Sequence, residues 1–218
     1  MPSPWLLILT PTAGERDALA SRTGLDGATI ELCGFGPIAA AARTAALLAQ
    51  LRPARVLLTG LAGTYDNVLP LGAAFAFESI AIDRLGAGEG ERYQPASDIG
   101  FSQWPEPPGP IEQRLALWQP PGLATAGLLL TTCTASAAAS EAAGKRGLFP
   151  EAVAEDMEGF GVALACALAG VPLAIVRGIS NLAGNRDKRE WRIDAALAAA
   201  GDLVEQLVGS IDEEKPQS

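Results

Sequence analysis

The chain has 218 residues, of which 49% are hydrophobic and 19% are charged, and its formal net charge is −9. This length predicts one large domain or two small ones, with a core that needs no disulfide or metal. The acidic balance argues against a dedicated nucleic-acid binder and against docking on an anionic membrane by charge. There is no histidine, which excludes Ser-His-Asp and Cys-His catalysis and zinc sites built on imidazole.

The cysteines and the N-terminal stretch indicate a compartment. Cys33, Cys133 and Cys166 are widely spaced and odd in number, which favours a reducing compartment, and all three are expected to be small core residues. The first residues are a poor signal peptide because no basic region precedes their short apolar run. No apolar run reaches the ~18 residues of a membrane span. We therefore expect a cytoplasmic protein.

Strands and helices are predicted to alternate along the chain. Strands are expected over 5–9, 29–33, 55–58, 73–82, 127–132, 152–155 and 172–179, and helices over 15–20, 38–51, 136–146, 158–168 and 191–208. A glycine-containing turn is predicted over 59–63. This alternation predicts an α/β fold, a three-layer α/β/α sandwich around a mixed but mostly parallel sheet, with ligands bound at the carboxyl ends of the strands.

The domain organisation follows from shifts in composition. We expect a single domain over 1–210 and a frayed, charged tail over 211–218. The segment 85–121 is rich in Gly, Pro, Gln and Glu, which predicts a long loop excursion over the surface. Loops of that length are usually functional or mobile, and this one is expected to form part of a lid over the substrate.

The stretch GFGPIA at 34–39 fits a GxGxxA turn between a strand and a helix. Such a turn can hold a dinucleotide pyrophosphate on the helix N-terminus. Here the turn follows the second predicted strand. The next predicted strand does not end in an acidic residue that could bind a ribose. A tight turn that needs glycine for backbone reasons is the favoured interpretation. A nicotinamide-dependent reductase stays open as an alternative that a test of NAD(P) binding would settle.

Two later segments place charged side chains in apolar surroundings. Asp156 and Glu158 interrupt the apolar stretch AVAEDMEGFGVALACA, and they either cap a helix N-terminus or serve a site. Arg177 lies inside a strand that is predicted to be buried, where a guanidinium nearly always has a carboxylate partner or an anionic ligand. Ser180 and Asn181 follow at the predicted end of that strand. The buried charge of Arg177 and the position of these two polar residues together favour a functional site.

The segments EDMEGFGVALA and IVRGISNLAG, with TGLAG upstream and an early glutamate, resemble the purine nucleoside phosphorylase and methylthioadenosine nucleosidase superfamily. The resemblance covers about residues 6–207 and is weak only in the 85–121 excursion. Within the superfamily, VRGISN with GNRDKREW is most similar to the futalosine hydrolases. These act in the alternative bacterial route to menaquinone and cleave futalosine to hypoxanthine and dehypoxanthine futalosine. The resemblance implies a nucleoside phosphorylase-like fold, no cofactor, no metal and a homodimer or larger homo-oligomer.

The resemblance also implies roles for particular residues. Glu15 would orient and deprotonate the attacking water, and Arg177 would help to hold that water. Met157 and Glu158 would contact the ribose, with Glu158 binding its 2′- and 3′-hydroxyls. Asn181 would contact N7 of the leaving purine.

Several positions depart from the adenine-releasing nucleosidases. Those enzymes carry Asp where this chain has Asn181, and an amide cannot protonate the base, although it can hydrogen-bond N7 and a 6-oxo edge. Hypoxanthine is a better leaving group because its O6 delocalises the negative charge. Thr12 replaces a Met, and Leu61 replaces a Ser in the turn that ends at Gly63. Trp191 matches an aromatic position and is expected to stack on the aryl group of futalosine.

The carboxylate of futalosine would meet Arg186 or Lys188, although each of the two could equally be solvated. Three alternatives to a futalosine hydrolase stay open. They are a nucleosidase for methylthioadenosine, adenosylhomocysteine or inosine, a purine nucleoside phosphorylase, and a non-catalytic nucleoside-binding module. Hydrolysis is favoured over phosphorolysis because the early glycine-rich loops offer only backbone groups and Thr59 to a phosphate.

Overall fold

The computed structural model of the chain describes residues 4–25, 27–106, 109–120, 123 and 125–212. The helices are α1 (Ala13–Ala20), α2 (Pro37–Leu51), α3 (Ala139–Leu148), α4 (Gly159–Ala169) and α5 (Ile193–Asp212). The strands are β1 (Leu6–Thr10), β2 (Thr29–Leu32), β3 (Arg55–Thr64), β4 (Ala74–Ile82), β5 (Gly86–Ala87), β6 (Gln94–Pro95), β7 (Arg114–Ala116), β8 (Thr125–Thr131), β9 (Ala152–Asp156) and β10 (Leu173–Leu182). All the predicted helices and strands are present, with ends that differ by a few residues.

The main sheet is mixed and is organised around β3. This strand pairs in parallel with β1 and β10, and its last residues pair in antiparallel with β9. From β10 the sheet continues through β4 and β8 and returns to β9. The five strands β3, β10, β4, β8 and β9 therefore form a closed circuit. The strands β1 and β2 extend from it as a parallel wing, and β7 pairs with β4.

Helices cover the sheet on both sides. Residues of β1 alternate between two hydrophobic clusters, as the two-residue period of a strand requires. Leu7 and Leu9 belong to the cluster under α2 and α4, whereas Leu6 and Ile8 belong to the cluster under α1 and α5. The predicted α/β/α layers and mixed sheet are confirmed. Because every one of these β1 residues is fully buried, the strand fixes the position of the polar residues that follow it.

The predicted turn over 59–63 is wrong, because β3 continues through these residues to Thr64. It pairs with β10 along this whole stretch and with β9 at its end. The glycines in this stretch leave space for neighbouring side chains and do not form a turn. A Cβ on Gly60 would lie 2.5 Å from Arg177 Nη1, and a Cβ on Gly63 would lie 3.2 Å from Asn181 Nδ2.

Two other strand and helix ends differ from the predictions. β10 extends past 179 to Leu182 with a register irregularity between Ile179 and Asn181, so Ser180 and Asn181 lie within the strand. α5 extends to Asp212, and Ile211 is buried against the core, so the expected tail cannot begin at 211. Its remainder, 213–218, lies outside the described residues.

The 85–121 excursion is more ordered than a loop. It contains the β5–β6 hairpin, a short 3-10 helix over Gly90–Arg92, and β7, which pairs with β4. None of the described residues of this segment lines the pocket described below. The expectation that it forms part of a lid over the substrate stays a prediction.

Candidate active site

A cavity of about 280 Å³ opens where β1, β3, β9 and β10 end. It brings together seven of the eight residues that the sequence singled out for the site. These are Thr12, Glu15, Gly63, Met157, Glu158, Asn181 and Trp191. The eighth, Arg177, is fully buried and does not line the cavity, but it contacts two of the carboxylates that do.

Glu15 is held at the first turn of α1 by a capping box with Thr12. Its Oε2 accepts hydrogen bonds from the Thr12 amide at 3.0 Å and from Thr12 Oγ1 at 2.6 Å. Its Oε1 accepts a hydrogen bond from the Leu61 amide of β3 at 3.1 Å. The T-x-x-E spacing is a local signal for such a box. The box fixes the carboxylate at the pocket wall, and the helix N-terminus favours its negative charge.

Arg177 has the carboxylate partner that the sequence predicted. Its Nε and Nη2 donate to Asp156 Oδ2 at 3.1 and 2.5 Å, and Nη2 also lies 3.4 Å from Glu158 Oε2. Burial lowers the pKa of this guanidinium, but Asp156, Glu158 and Glu15 raise it more, so the net shift is upward. Arg177 is therefore a permanent cation beneath the acidic pocket.

Asp156 links this cation to the start of α4. Its Oδ1 accepts a hydrogen bond from Thr131 Oγ1 at 2.6 Å, and its Oδ2 accepts one from the Gly159 amide at 3.0 Å. Asp156 therefore bonds an amide in the first turn of α4 and also pairs with Arg177. Asp156 thus orients the guanidinium against a rigid strand and helix.

Glu158 stands between the cation and the glycine turn at 34–36. Its Oε1 accepts a hydrogen bond from the Gly36 amide at 3.2 Å, so this turn serves a pocket carboxylate. Burial raises the pKa of Glu158 to about 7, with Asp156 adding to the rise and Arg177 opposing it. The group therefore titrates near neutral pH, and it sits in the pocket wall with Met157 and Phe35.

Glu15 and Arg177 approach a common point beside Gly60. Arg177 Nη1 is buried and has no hydrogen-bond partner among the described residues. A Cβ on Gly60 would lie 2.5 Å from this Nη1 and 2.7 Å from Glu15 Oε1. A donor and an acceptor thus face the same small region beside Gly60.

Asn181 lies across β3 from the acidic strand β9. Its Oδ1 accepts a hydrogen bond from Ser180 Oγ at 2.8 Å, and its Nδ2 donates to the Leu182 carbonyl at 3.0 Å. These bonds fix the amide plane and leave the second Nδ2 hydrogen free to bind a ligand.

Trp191 and Arg186 form one wall of the cavity. The Arg186 guanidinium lies 4.9 Å from the centroid of the Trp191 ring, a cation–π contact. Trp191 Nε1 donates to the Asn185 carbonyl at 3.2 Å. Of the two cations that the sequence offered for an anionic group, only Arg186 lines the cavity, and Lys188 does not.

Sequence reasoning missed a buried polar cluster around Glu155, which also lines the cavity. The Glu155 carboxylate accepts four hydrogen bonds, from Ser136, Tyr65 and Lys145. The partners lie up to 90 residues apart in the chain, so no local spacing reveals the cluster. The only available signal was the position of Glu155 beside Asp156.

The comparisons with known proteins agree with this site. A family model described as the phosphorylase superfamily matches residues 10–209. The chain belongs to the phosphorylase superfamily. The futalosine hydrolase of Streptomyces coelicolor is 36% identical, with 97% of this chain and 98% of that protein covered. The futalosine hydrolase of Thermus thermophilus is 34% identical, with 94% and 95% covered. The predicted resemblance to the futalosine hydrolases within the phosphorylase superfamily is therefore confirmed.

A solved structure shares the fold. The 5′-methylthioadenosine/S-adenosylhomocysteine nucleosidase of Neisseria meningitidis, in complex with methylthio-immucillin-A, superposes with a TM-score of 0.75 at 19% identity. The superposition covers 96% of this chain and 100% of the nucleosidase chain.

In the part of this chain that the structure describes, no helix is both long and apolar enough to span a membrane. Cys33 and Cys166 are buried as predicted, whereas Cys133 is exposed, contrary to the expectation.

Proposed function

We propose that this protein hydrolyses the N-glycosidic bond of futalosine and releases hypoxanthine and dehypoxanthine futalosine. The observation that carries the proposal is the pairing of an acceptor in the pocket wall with a buried donor behind it. Glu15 and the free Nη1 of Arg177 converge beside Gly60, and the Asn181 amide in the same wall keeps one hydrogen for a leaving base. The similarity to two futalosine hydrolases over nearly the whole chain supports the choice of substrate.

Glu15 and Arg177 activate the water in this mechanism. A water that donates to Glu15 Oε1 and accepts from Arg177 Nη1 would be held by both groups, and attack on C1′ transfers its proton to Glu15. The capping box holds the carboxylate in position for this step. General base catalysis of this kind typically contributes about 10²–10⁴ in rate.

Glu158 and Met157 hold the sugar, with the Glu158 carboxylate accepting from the 2′- and 3′-hydroxyls. Positioning C1′ in line with the water reduces the entropy cost of the reaction. As the glycosidic bond lengthens, C1′ becomes oxocarbenium-like and negative charge moves onto the purine. Asn181 stabilises that charge through its free Nδ2 hydrogen at N7, without transferring a proton. The departing purine anion then takes a proton from solvent, and Glu15 loses its proton to solvent.

Trp191 and Arg186 bind the remainder of the substrate. The indole offers a flat apolar surface for the aryl group, and Arg186 stacked on it is the cation available to the carboxylate of futalosine. Thr12 and Gly63 complete the wall of the pocket.

The biological setting is also part of the proposal. The mechanism assigns every step to side chains and water, so it uses no cofactor or metal. We place the enzyme in the cytoplasm, where its free cysteines stay reduced, and in the alternative route to menaquinone. We propose that it is a homodimer or a larger homo-oligomer and that it binds neither nucleic acid nor membrane.

Base release from futalosine, inosine and methylthioadenosine, followed by chromatography without phosphate, tests the function. We expect rapid release of hypoxanthine from futalosine and little release of base from the other two nucleosides. Release that depends on added phosphate would identify a phosphorylase instead. Preferred cleavage of inosine or methylthioadenosine would leave the hydrolytic pair in place and overturn the choice of substrate.

Replacement of the proposed base tests the mechanism. Glu15→Gln should lower kcat by at least about 100-fold while substrate binding, measured by calorimetry, changes little. Glu141→Gln is the matched control, because Glu141 also lies in the first turn of a helix and bonds a preceding amide, that of Ala137. A Glu15→Gln enzyme with wild-type kcat would remove Glu15 from the mechanism.

A further inference from the structure

We infer that Glu155 is a specificity-determining residue of the proposed reaction, which selects a purine that carries an N–H at position 1. The inference rests on the proposed function and concerns the base end of the same pocket. It assigns a role to a buried carboxylate that the hydrolytic mechanism does not use.

The position of Glu155 follows from the register of three strands. Gly63 of β3 pairs with Glu155 of β9 on one side and with Asn181 of β10 on the other. Neighbouring strands lie about 4.8 Å apart, so Glu155 and Asn181 stand roughly 10 Å apart across a residue without a side chain. Both line the cavity. A flat base that contacts Asn181 through N7 can therefore direct its Watson–Crick edge, which carries N1 and adjoins the edge that carries N7, over Gly63 toward Glu155.

The partners of Glu155 are hydrogen-bond donors. Its Oε1 accepts a hydrogen bond from the Ser136 amide at 2.7 Å, and its Oε2 accepts one from Lys145 Nζ at 3.0 Å. An amide N–H and an ammonium can only donate. Both carboxyl oxygens therefore act as acceptors in this cluster.

The remaining bonds are concentrated on one oxygen. Tyr65 Oη and Ser136 Oγ each donate to Oε2 at 2.8 Å, so Oε2 receives three donors and Oε1 receives one. A carboxylate has about four lone-pair positions, two on each oxygen. Oε1 therefore keeps one acceptor position beyond its bond to Ser136.

The cluster is rigid enough to select between ligands. Lys145 and Glu155 are almost fully buried, with side-chain exposures of 5% and 6%. Lys145 Nζ also donates to the Thr134 carbonyl at 2.6 Å, which ties the cluster to the segment before Ser136. The carboxylate cannot rotate away from a poorly matched ligand without breaking an ion pair in the protein interior.

An acceptor at this edge distinguishes the two common purine types. A 6-oxopurine carries a hydrogen on N1 and can donate to Glu155, whereas N1 of a 6-aminopurine presents a lone pair to the carboxylate. Leaving a buried polar pair mismatched typically costs tenfold or more in specificity, roughly 1–3 kcal/mol. N7 accepts a hydrogen bond in both base types, so Glu155 adds to the preference set by Asn181 a further discrimination at N1.

The test compares futalosine with its 6-amino counterpart, which differs only in the base. We expect Glu155→Gln to lower the ratio of kcat/KM for the oxo over the amino substrate by about tenfold or more. Because this variant leaves Lys145 buried without its partner, the double variant Glu155→Gln, Lys145→Met is measured beside it and should show the same fall. Tyr65→Phe, which removes one donor and keeps the acceptor, should retain the wild-type ratio.

Binding of the free bases provides a readout that does not need turnover. Calorimetry should show hypoxanthine bound at least about tenfold more tightly than adenine by the wild type, and that preference should be lost in Glu155→Gln. If Glu155→Gln lowers kcat/KM equally for the oxo and amino substrates, so that their ratio is unchanged, Glu155 has only a structural role and the inference is overturned. Failure of the proposed function gives a different result, because the wild type would then release no base from futalosine. The binding constants for hypoxanthine and adenine would still decide the role of Glu155.

Discussion

Arg177 is a buried cation that stabilises two acidic residues of the pocket wall. It pairs with Asp156 and contacts Glu158, while its Nη1 has no hydrogen-bond partner among the described residues. A charge this deeply buried is stable only with such partners. The same guanidinium therefore serves both the fold and, in the proposed mechanism, the water.

Glu158 should make substrate binding depend on pH. Its pKa is raised by burial to about 7, and only the ionised carboxylate can accept hydrogen bonds at both oxygens from the ribose. We expect kcat/KM for futalosine to fall as the pH decreases below 7, and KM to account for most of the change. Glu158→Gln should bind more weakly at high pH and should lose this limb of the profile. A wild-type KM that is constant from about pH 5 to about pH 8 would contradict the assignment.

The stability of the fold should respond to Glu158 in the opposite direction. The ordinary pKa of the group is 4.5 and its folded pKa is higher, so the folded state favours the protonated form. The contribution of Glu158 to stability is complete below about pH 4.5 and is lost as the pH rises through about 7. Thermal unfolding of the wild type and Glu158→Gln at both ends of this range checks the sign.

Single residues also show what the sequence could predict. Glu15, Glu158 and Asn181 follow predicted strands closely, and the carboxyl ends of neighbouring strands meet at one edge, so their convergence was expected. Glu155 escaped because its partners Tyr65 and Lys145 come from other elements, and a carboxylate in a strand gives no hint of distant donors. Long-range partners depend on sheet register, which the local sequence does not encode.

At the scale of elements, β3 is the part of the fold that sequence reasoning misread. Its glycines imitate a turn, yet the strand pairs with β10 through Thr64. The closed circuit of five strands explains the difference, because β3 must be long enough to pair with both β10 and β9. Helix and strand periodicity identified the elements correctly, but the way in which the sheet closes on itself has no periodic signal.

Gly60 tests how closely β3 and the hydrolytic pair must approach. In Gly60→Ala the new Cβ would lie 2.5 Å from Arg177 Nη1 and 2.7 Å from Glu15 Oε1, so it would displace both groups. We expect kcat to fall by about 100-fold or more, since a displacement of about 1 Å can cost that much. Gly127→Ala is the control, because the nearest atoms to a Cβ at this β8 glycine lie 3.8 Å away. Normal turnover by Gly60→Ala would separate Gly60 from the reaction.

At the scale of the whole molecule, an apolar surface borders the pocket. Phe35 lines the cavity and is 65% exposed, and Ile38, in the first turn of α2, is 83% exposed. Large apolar side chains this exposed are typical of interaction surfaces. The place of Phe35 in the pocket wall agrees with the proposal of a homo-oligomer in which a neighbouring copy covers this side of the site.

Sedimentation velocity tests that proposal directly. We expect the wild type to sediment as a dimer or larger assembly and Ile38→Asp to shift toward the monomer, because a buried aspartate without a partner is costly. Phe101→Asp is the control, since Phe101 is 68% exposed in the excursion and does not line the cavity. If Phe35 is covered by a neighbouring copy, the Ile38→Asp monomer should also show a raised KM, whereas a wild-type monomer with full activity would show that one chain completes the site alone.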